Sequence, residues 1–168
     1  MKKYSNQIIL LIIIFSFFIS CNNFQRINNE TIKGNEIHKE YDSIKAQKFG
    51  ADEYGMKKYV VAFLKRGPNR NLDSLESSKL QMAHLKNIEK MANDGKLVLA
   101  GPFFDNDNLR GIYIFNVSSI EEAENLTNSD PAIKAGSLVM ELKEWYGSAA
   151  LMELNEIHKT ISKKQITE

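Results

Sequence analysis

Lys96-Leu97-Val98-Leu99-Ala100-Gly101-Pro102, with Gly111-Ile112-Tyr113-Ile114-Phe115-Asn116-Val117 following it, is the stretch from which the fold is read. Both runs are rich in branched and aromatic residues, Gly101-Pro102 stops the first, and Asp105-Asn106-Asp107-Asn108 supplies a polar turn between them. That layout predicts a β-hairpin. A calcium-loop reading of the turn fails, because Leu109 stands where a fifth-position oxygen ligand is needed and Gly111 falls one place late.

Working outward, Ser74 to Asn93 predicts a long helix: Met82, Leu85, Ile88 and Ala92 recur at steps of three and four, and Gly95 follows as a stop. Before it, Tyr59-Val60-Val61-Ala62-Phe63-Leu64 reads as a strand closed by the breaker cluster Lys65-Arg66-Gly67-Pro68. After the hairpin, Ser118 or Ser119 caps a second helix whose first-turn Glu121 and Glu122 suit the positive end of its dipole. Asp130-Pro131 interrupts that helix. In a fourth strand Leu138, Met140 and Leu142 alternate with Glu141 and Lys143. The order is βαββαβ, which predicts an α+β chain of the ferredoxin-like, split βαβ kind with both helices on one face of the sheet. A sheet with Phe63, Tyr113, Phe115 and Trp145 to place cannot leave its other side wet. Two copies are therefore expected to pack sheet against sheet as a homodimer.

The N-terminus has a different character. Lys2 and Lys3 precede an apolar run from Ile8 to Ile19, and Ser20-Cys21 closes it, in the three-part layout of an export signal. The run is too short to span a bilayer, which takes about 20 apolar residues. Phe18-Ile19-Ser20-Cys21 resembles the lipobox of bacterial lipoproteins, and the resemblance implies that Cys21, the only cysteine, carries the lipid once residues 1–20 are removed. Asn22 follows, where an aspartate would retain such a protein at the inner membrane, so the expected location is the cell envelope, with the outer membrane preferred. Removal of the leader takes away two lysines and no acids, leaving 20 basic against 21 acidic side chains. A near-neutral domain lacks the basic stripe that nucleic acid requires. The expected organisation is a signal at 1–20, a polar tether at 21–56 in which Ile37, Tyr41, Ile44 and Lys48 allow a short helix, one folded domain at 57–147 and a polar tail at 148–168 with a weak helical stripe at Leu151, Leu154, Ile157 and Ile161.

Few residues here can do chemistry. Of three histidines, His38 and His158 fall in the expected tether and tail, while His84 shares a helical arc with Ile88 and Met91 and should look toward the sheet. A packed histidine with both nitrogens satisfied is one reading. The other needs a partner, and Asp130, held beside Pro131, is the candidate: a carboxylate on one ring nitrogen sets the tautomer and leaves the other nitrogen to take a proton. A simple turn or cap role for Asp130 is the competing reading. No nucleophile elbow, phosphate loop or paired metal-ligand motif occurs, so neither a cofactor nor a metal is expected.

Residues 57 to about 147 resemble the YCII-related family of dimeric α+β barrel proteins through Ala83-His84-Leu85, Asp94-Gly95-Lys96-Leu97, Ala100-Gly101-Pro102-Phe103, Ser118-Ser119-Ile120-Glu121-Glu122-Ala123, Asp130-Pro131 and Ala135-Gly136. The resemblance implies a His84–Asp130 dyad in a pocket between helix and sheet, with Gly101, Pro102 and Phe103 lining it and a small molecule as ligand. Ala132 stands where the family often has an aromatic residue, which reshapes the pocket. Some members of that family are lyases. Two functions are thus expected: proton transfer on a small organic acid or aromatic compound, or a non-catalytic binding module that works as a homodimer. For the anchor, labelled palmitate should enter the wild-type protein in a bacterial host and should not enter Cys21→Ser; equal labelling of both would refute lipidation at that residue.

Overall fold

The computed structural model describes residues 40–168, and its compact unit runs from Asp42 to Glu168. The expected export leader, Cys21 and the first part of the expected tether lie outside the described residues. The elements in chain order are α1 (Ser43–Phe49), β1 (Met56–Arg66), α2 (Ser74–Asn93), β2 (Leu97–Pro102), β3 (Leu109–Phe115), α3 (Ile120–Asn128), α4 (Pro131–Lys134), β4 (Leu138–Ser148), a 3₁₀ turn (Ala149–Glu153) and α5 (Leu154–Ile161). The strands form one antiparallel sheet in the order β2-β3-β1-β4. This is the α+β, ferredoxin-like arrangement that the alternation of elements predicts.

Strand alternation divides the sheet. Val60, Ala62 and Leu64 of β1 face the helices and pack with Leu97, Tyr113 and Phe115, against Met91 of α2 and Ala123 of α3. Each large side chain buried there contributes roughly 1.5–3 kcal/mol relative to exposure. Pairing of Val60 with Phe115 and of Ala62 with Tyr113 fixes the phase of β3, so these two aromatics lie on the helix side, whereas Tyr59, Val61, Ile114 and Leu99 pack on the other. Trp145, the cross-strand partner of Tyr59, stays 41% exposed. Helix α2 begins with a reciprocal cap, in which Asp73 accepts from the Glu76 amide and Glu76 accepts from the Asp73 amide. Its inward face is centred on His84 and Met91, with Ile88 between them, and Met82 of the expected stripe is instead 38% exposed.

The segments flanking the β-sheet are more ordered than a tether and a tail. Asp42 caps α1, and Gly50 ends it at φ 68, in the left-handed region open to glycine. On the other flank Leu151 and Met152 of the 3₁₀ turn pack on Tyr59, Val98 and Ile114. Lys45 pairs with Glu153 at 2.9 Å, tying the two flanks together, and Asn155 donates to the Leu97 carbonyl at 2.8 Å on the outer edge of β2. Elements of seven and five residues are too short to hold by helical preference alone, and it is Phe49 of α1 and Leu151 and Met152 of the 3₁₀ turn that are buried or packed there.

One close backbone approach positions α4. Gly67 donates to the Ser137 carbonyl and Asn69 to the Gly136 carbonyl, both at 2.9 Å, so the loop after β1 is clamped to the turn after α4. A Cβ on Gly67 would lie 2.1 Å from the Gly136 oxygen. Gly67→Ala should therefore lower unfolding free energy by about 1–3 kcal/mol in urea titration. Gly101→Ala, which meets open space, should change it little, and equal effects of the two would refute the clamp.

Candidate functional site

His84 points from α2 into the space between helix and sheet, and there it meets Asp130. Its Nδ1 lies 2.9 Å from both carboxylate oxygens. Asp130 has no exposed surface, and His84 is 7% exposed. The competing readings of Asp130 turn out to be compatible: it caps α4, accepting from the Ala132 amide at 2.8 Å with Pro131 at the first helical position, and it receives His84 as well. Asn87, three residues beyond His84 on the same helix, adds a donor at 3.1 Å.

A third member was missed in the sequence. Tyr113 of β3 places its hydroxyl 3.1 Å from His84 Nε2, with the two rings stacked at 22° and 6.2 Å between centroids. A tyrosine inside an apolar strand carries no chemical mark, since its alternation says only which face it takes. The one signal available was its phase relative to Ala62, which becomes readable when the strand register is known.

Electrostatics assigns the protons. Burial works to raise the Asp130 carboxyl, but the hydrogen bond and charge of His84, the Ala132 amide and Asn87 outweigh it and hold the group below the usual carboxylate range. An ionised carboxylate can only accept, so the Nδ1 that faces it bears a hydrogen, and in the neutral ring Nε2 accepts from the Tyr113 hydroxyl. Burial, reinforced by the Asp130 charge, pushes the Tyr113 phenol upward. The arrangement is a chain of donors running Tyr113 to His84 to Asp130. It can move a proton along its length without leaving an unpaired charge in the interior.

The residues expected to line the pocket lie at the end of β2. Gly101 pairs with Ile112, Pro102 with Gly111, and Phe103 is 39% exposed. A cleft of about 350 Å³ opens elsewhere, between α3, α4 and β4, on Ile120, Thr127, Ile133, Met140 and Leu142 with Glu124 beside them. Neither the dyad nor Gly101, Pro102 and Phe103 line that cleft. Among the described residues no three His, Cys, Asp or Glu side chains are grouped to hold a metal ion.

Residues 59–146 match the YCII-related domain. The uncharacterized protein YjpA of Bacillus subtilis (strain 168) is 31% identical over 62 residues, covering 37% of this chain and 71% of that protein. Among solved structures, the 5-chloro-2-hydroxyhydroquinone dehydrochlorinase (TftG) from Burkholderia phenoliruptrix AC1100, in complex with 2,5-dihydroxybenzoquinone, aligns with a TM-score of 0.40 at 21% identity. The alignment covers 53% of this chain and 93% of that one.

The lowered Asp130 carboxyl has a consequence for stability. A carboxylate depressed in the folded state stabilises the fold above the unfolded value of about 3.9, and that contribution is lost as pH falls through the folded value. Wild-type protein should thus exceed Asp130→Asn in unfolding free energy at pH 7, and the gap should narrow below about pH 4. A gap of constant size from pH 7 down to about pH 3 in urea titrations would show that Asp130 carries no such linkage.

Proposed function

The chain belongs to the YCII-related family, and on that premise we propose a lipid-anchored homodimer in which His84 moves a proton to or from a small organic acid or aromatic ligand. The reaction class is that of a lyase or isomerase. One observation carries the reading: His84 Nδ1 is held at 2.9 Å by a carboxylate with no exposed surface. Such a carboxylate fixes the tautomer and steadies the imidazolium that forms when Nε2 takes a proton. Positioned acid–base groups of this kind contribute about 10²–10⁴-fold to rate. The anchor rests on Cys21, with the envelope as the compartment and the outer membrane as its preferred site. Support for a second copy comes from the sheet face away from the helices, where Trp145 and Val139 remain 41% and 42% exposed and water would otherwise meet apolar surface.

A second reading, a binding module without chemistry, draws on a different observation. His84, Tyr113 and Asp130 are all nearly buried, and His84 has both nitrogens engaged. A screen of small carboxylic and aromatic acids against the full chain separates the two, with binding read by thermal shift, conversion by mass spectrometry and subunit number by light scattering. Catalysis predicts that wild type converts a ligand and that His84→Gln binds it but converts it at least about 10²-fold more slowly. Binding without any conversion by wild type would establish the module instead.

A further inference from the structure

The proton-transfer reading leaves open which atom meets the ligand. We infer that Tyr113 is the residue that exchanges the proton with the ligand, that His84 and Asp130 act behind it, and that the ligand is an enol or the carbonyl compound derived from one. The inference rests on the function proposed above and deepens it.

The decisive atom is His84 Nε2. Asp130 takes Nδ1, so Nε2 is the only nitrogen left for chemistry, and the Tyr113 hydroxyl occupies it at 3.1 Å. A ligand proton arriving at this site therefore meets the phenol oxygen on its way to the imidazole.

The surroundings of Tyr113 give the direction of approach. On one side its cross-strand neighbour is Ala62, which is fully buried. On the other is Ala100 of β2, which is exposed. The next row on the same face is Leu64, Gly111 and Pro102, and here too the β1 member is buried and the β2 member exposed. Ala100 and Pro102, both exposed, and the buried Gly111 form a floor of small residues beside Tyr113, which is itself 2% exposed, so the approach runs over the β2 edge. Gly111 is held to that size, because a Cβ there would lie 2.5 Å from the Gly101 oxygen. Pro102 thereby gains a role as floor, although the cleft between α3, α4 and β4 lies elsewhere.

The proton balance follows from the chain of donors. The enol O–H breaks and its hydrogen joins Tyr113 Oη; the original Oη–H breaks and its hydrogen joins His84 Nε2; the enol carbon takes a proton from water as the C=C pair forms the new C–H bond. The enol oxygen becomes a carbonyl, His84 becomes an imidazolium facing the Asp130 carboxylate, and the hydroxide left by water recovers the proton from His84. Reversal of each step makes the enol. No free phenolate arises at any point, as a buried tyrosine with a raised pKa requires.

The test is the keto–enol conversion of phenylpyruvate and other enolisable 2-oxo and 3-oxo acids by the full chain, followed by ultraviolet absorbance and by deuterium uptake at carbon. Tyr113→Phe should lose about 10²-fold or more in kcat with little change in KM. Incorporation of 3-fluorotyrosine at position 113, a phenol of nearly the same shape and greater acidity, should keep activity and move the pH–rate profile, which a merely structural tyrosine would not do. If His84→Gln is inactive while Tyr113→Phe keeps wild-type kcat, the inference fails and proton transfer by His84 stands. A wild-type protein inert on every member of the panel overturns both.

Discussion

A carboxylate removed from water must be surrounded by donors, and in this protein that requirement organises the helix side of the sheet. Asp130 satisfies it with the His84 ring, the Asn87 amide and the Ala132 backbone. These donors come from two helices. Ionisation of Asp130 therefore depends on α2 and α4 being docked together, and their docking is in turn favoured by the charge. Removal of one partner would leave the other buried without compensation, which is the costly arrangement. The Gly67–Gly136 approach serves the same end, because the clamped turn holds the end of the four-residue α4 and through it the Asp130 carboxylate at its start.

The far side of the sheet is governed by a weaker demand, the covering of apolar surface. The 3₁₀ turn answers it for Tyr59, Val98 and Ile114 through Leu151 and Met152. Both flanking segments lie outside the stretch that matches the YCII-related domain. They cover one end of the face and occupy the outer edge of β2 through Asn155. That bond takes the Leu97 carbonyl of the edge strand out of reach of pairing with another chain.

The fold was legible where period and punctuation agreed. Ser74 to Asn93 is a helix in both readings, and the hairpin with its Gly-Pro stop needed no tertiary information. The facing of residues was harder. The apolar stripe of α2 centres on His84 rather than on Met82, because a polar residue paired with a buried carboxylate can take a core position that hydrophobicity alone would deny it. His84 and Asp130 were legible as candidates through the family pattern, but their contact spans 46 residues of chain and needed the fold to bring it about. Tyr113 was not legible as a site residue at all, since its role arises from the facing of β3 against α2. The flanks were legible only as thin helical stripes, because seven-residue and five-residue elements are held by contact more than by local preference.

Strand β3 joins the two sides of this structure. Tyr113 on one face is flanked in sequence by Ile112 and Ile114 on the other, so whatever packs on the open face bears on the strand that carries the phenol. Side-chain packing in a close-packed sheet is transmitted with little slack. A shift of β3 by a few tenths of an ångström changes the 3.1 Å hydrogen bond between Tyr113 and His84, while the contact between His84 and Asp130 is made between α2 and the start of α4. The inner half of the donor chain is thus set by the helices, and the outer half by the sheet. A second copy, if packed against Ile112 as proposed, would act on the outer half first and leave the contact between His84 and Asp130 to the helices.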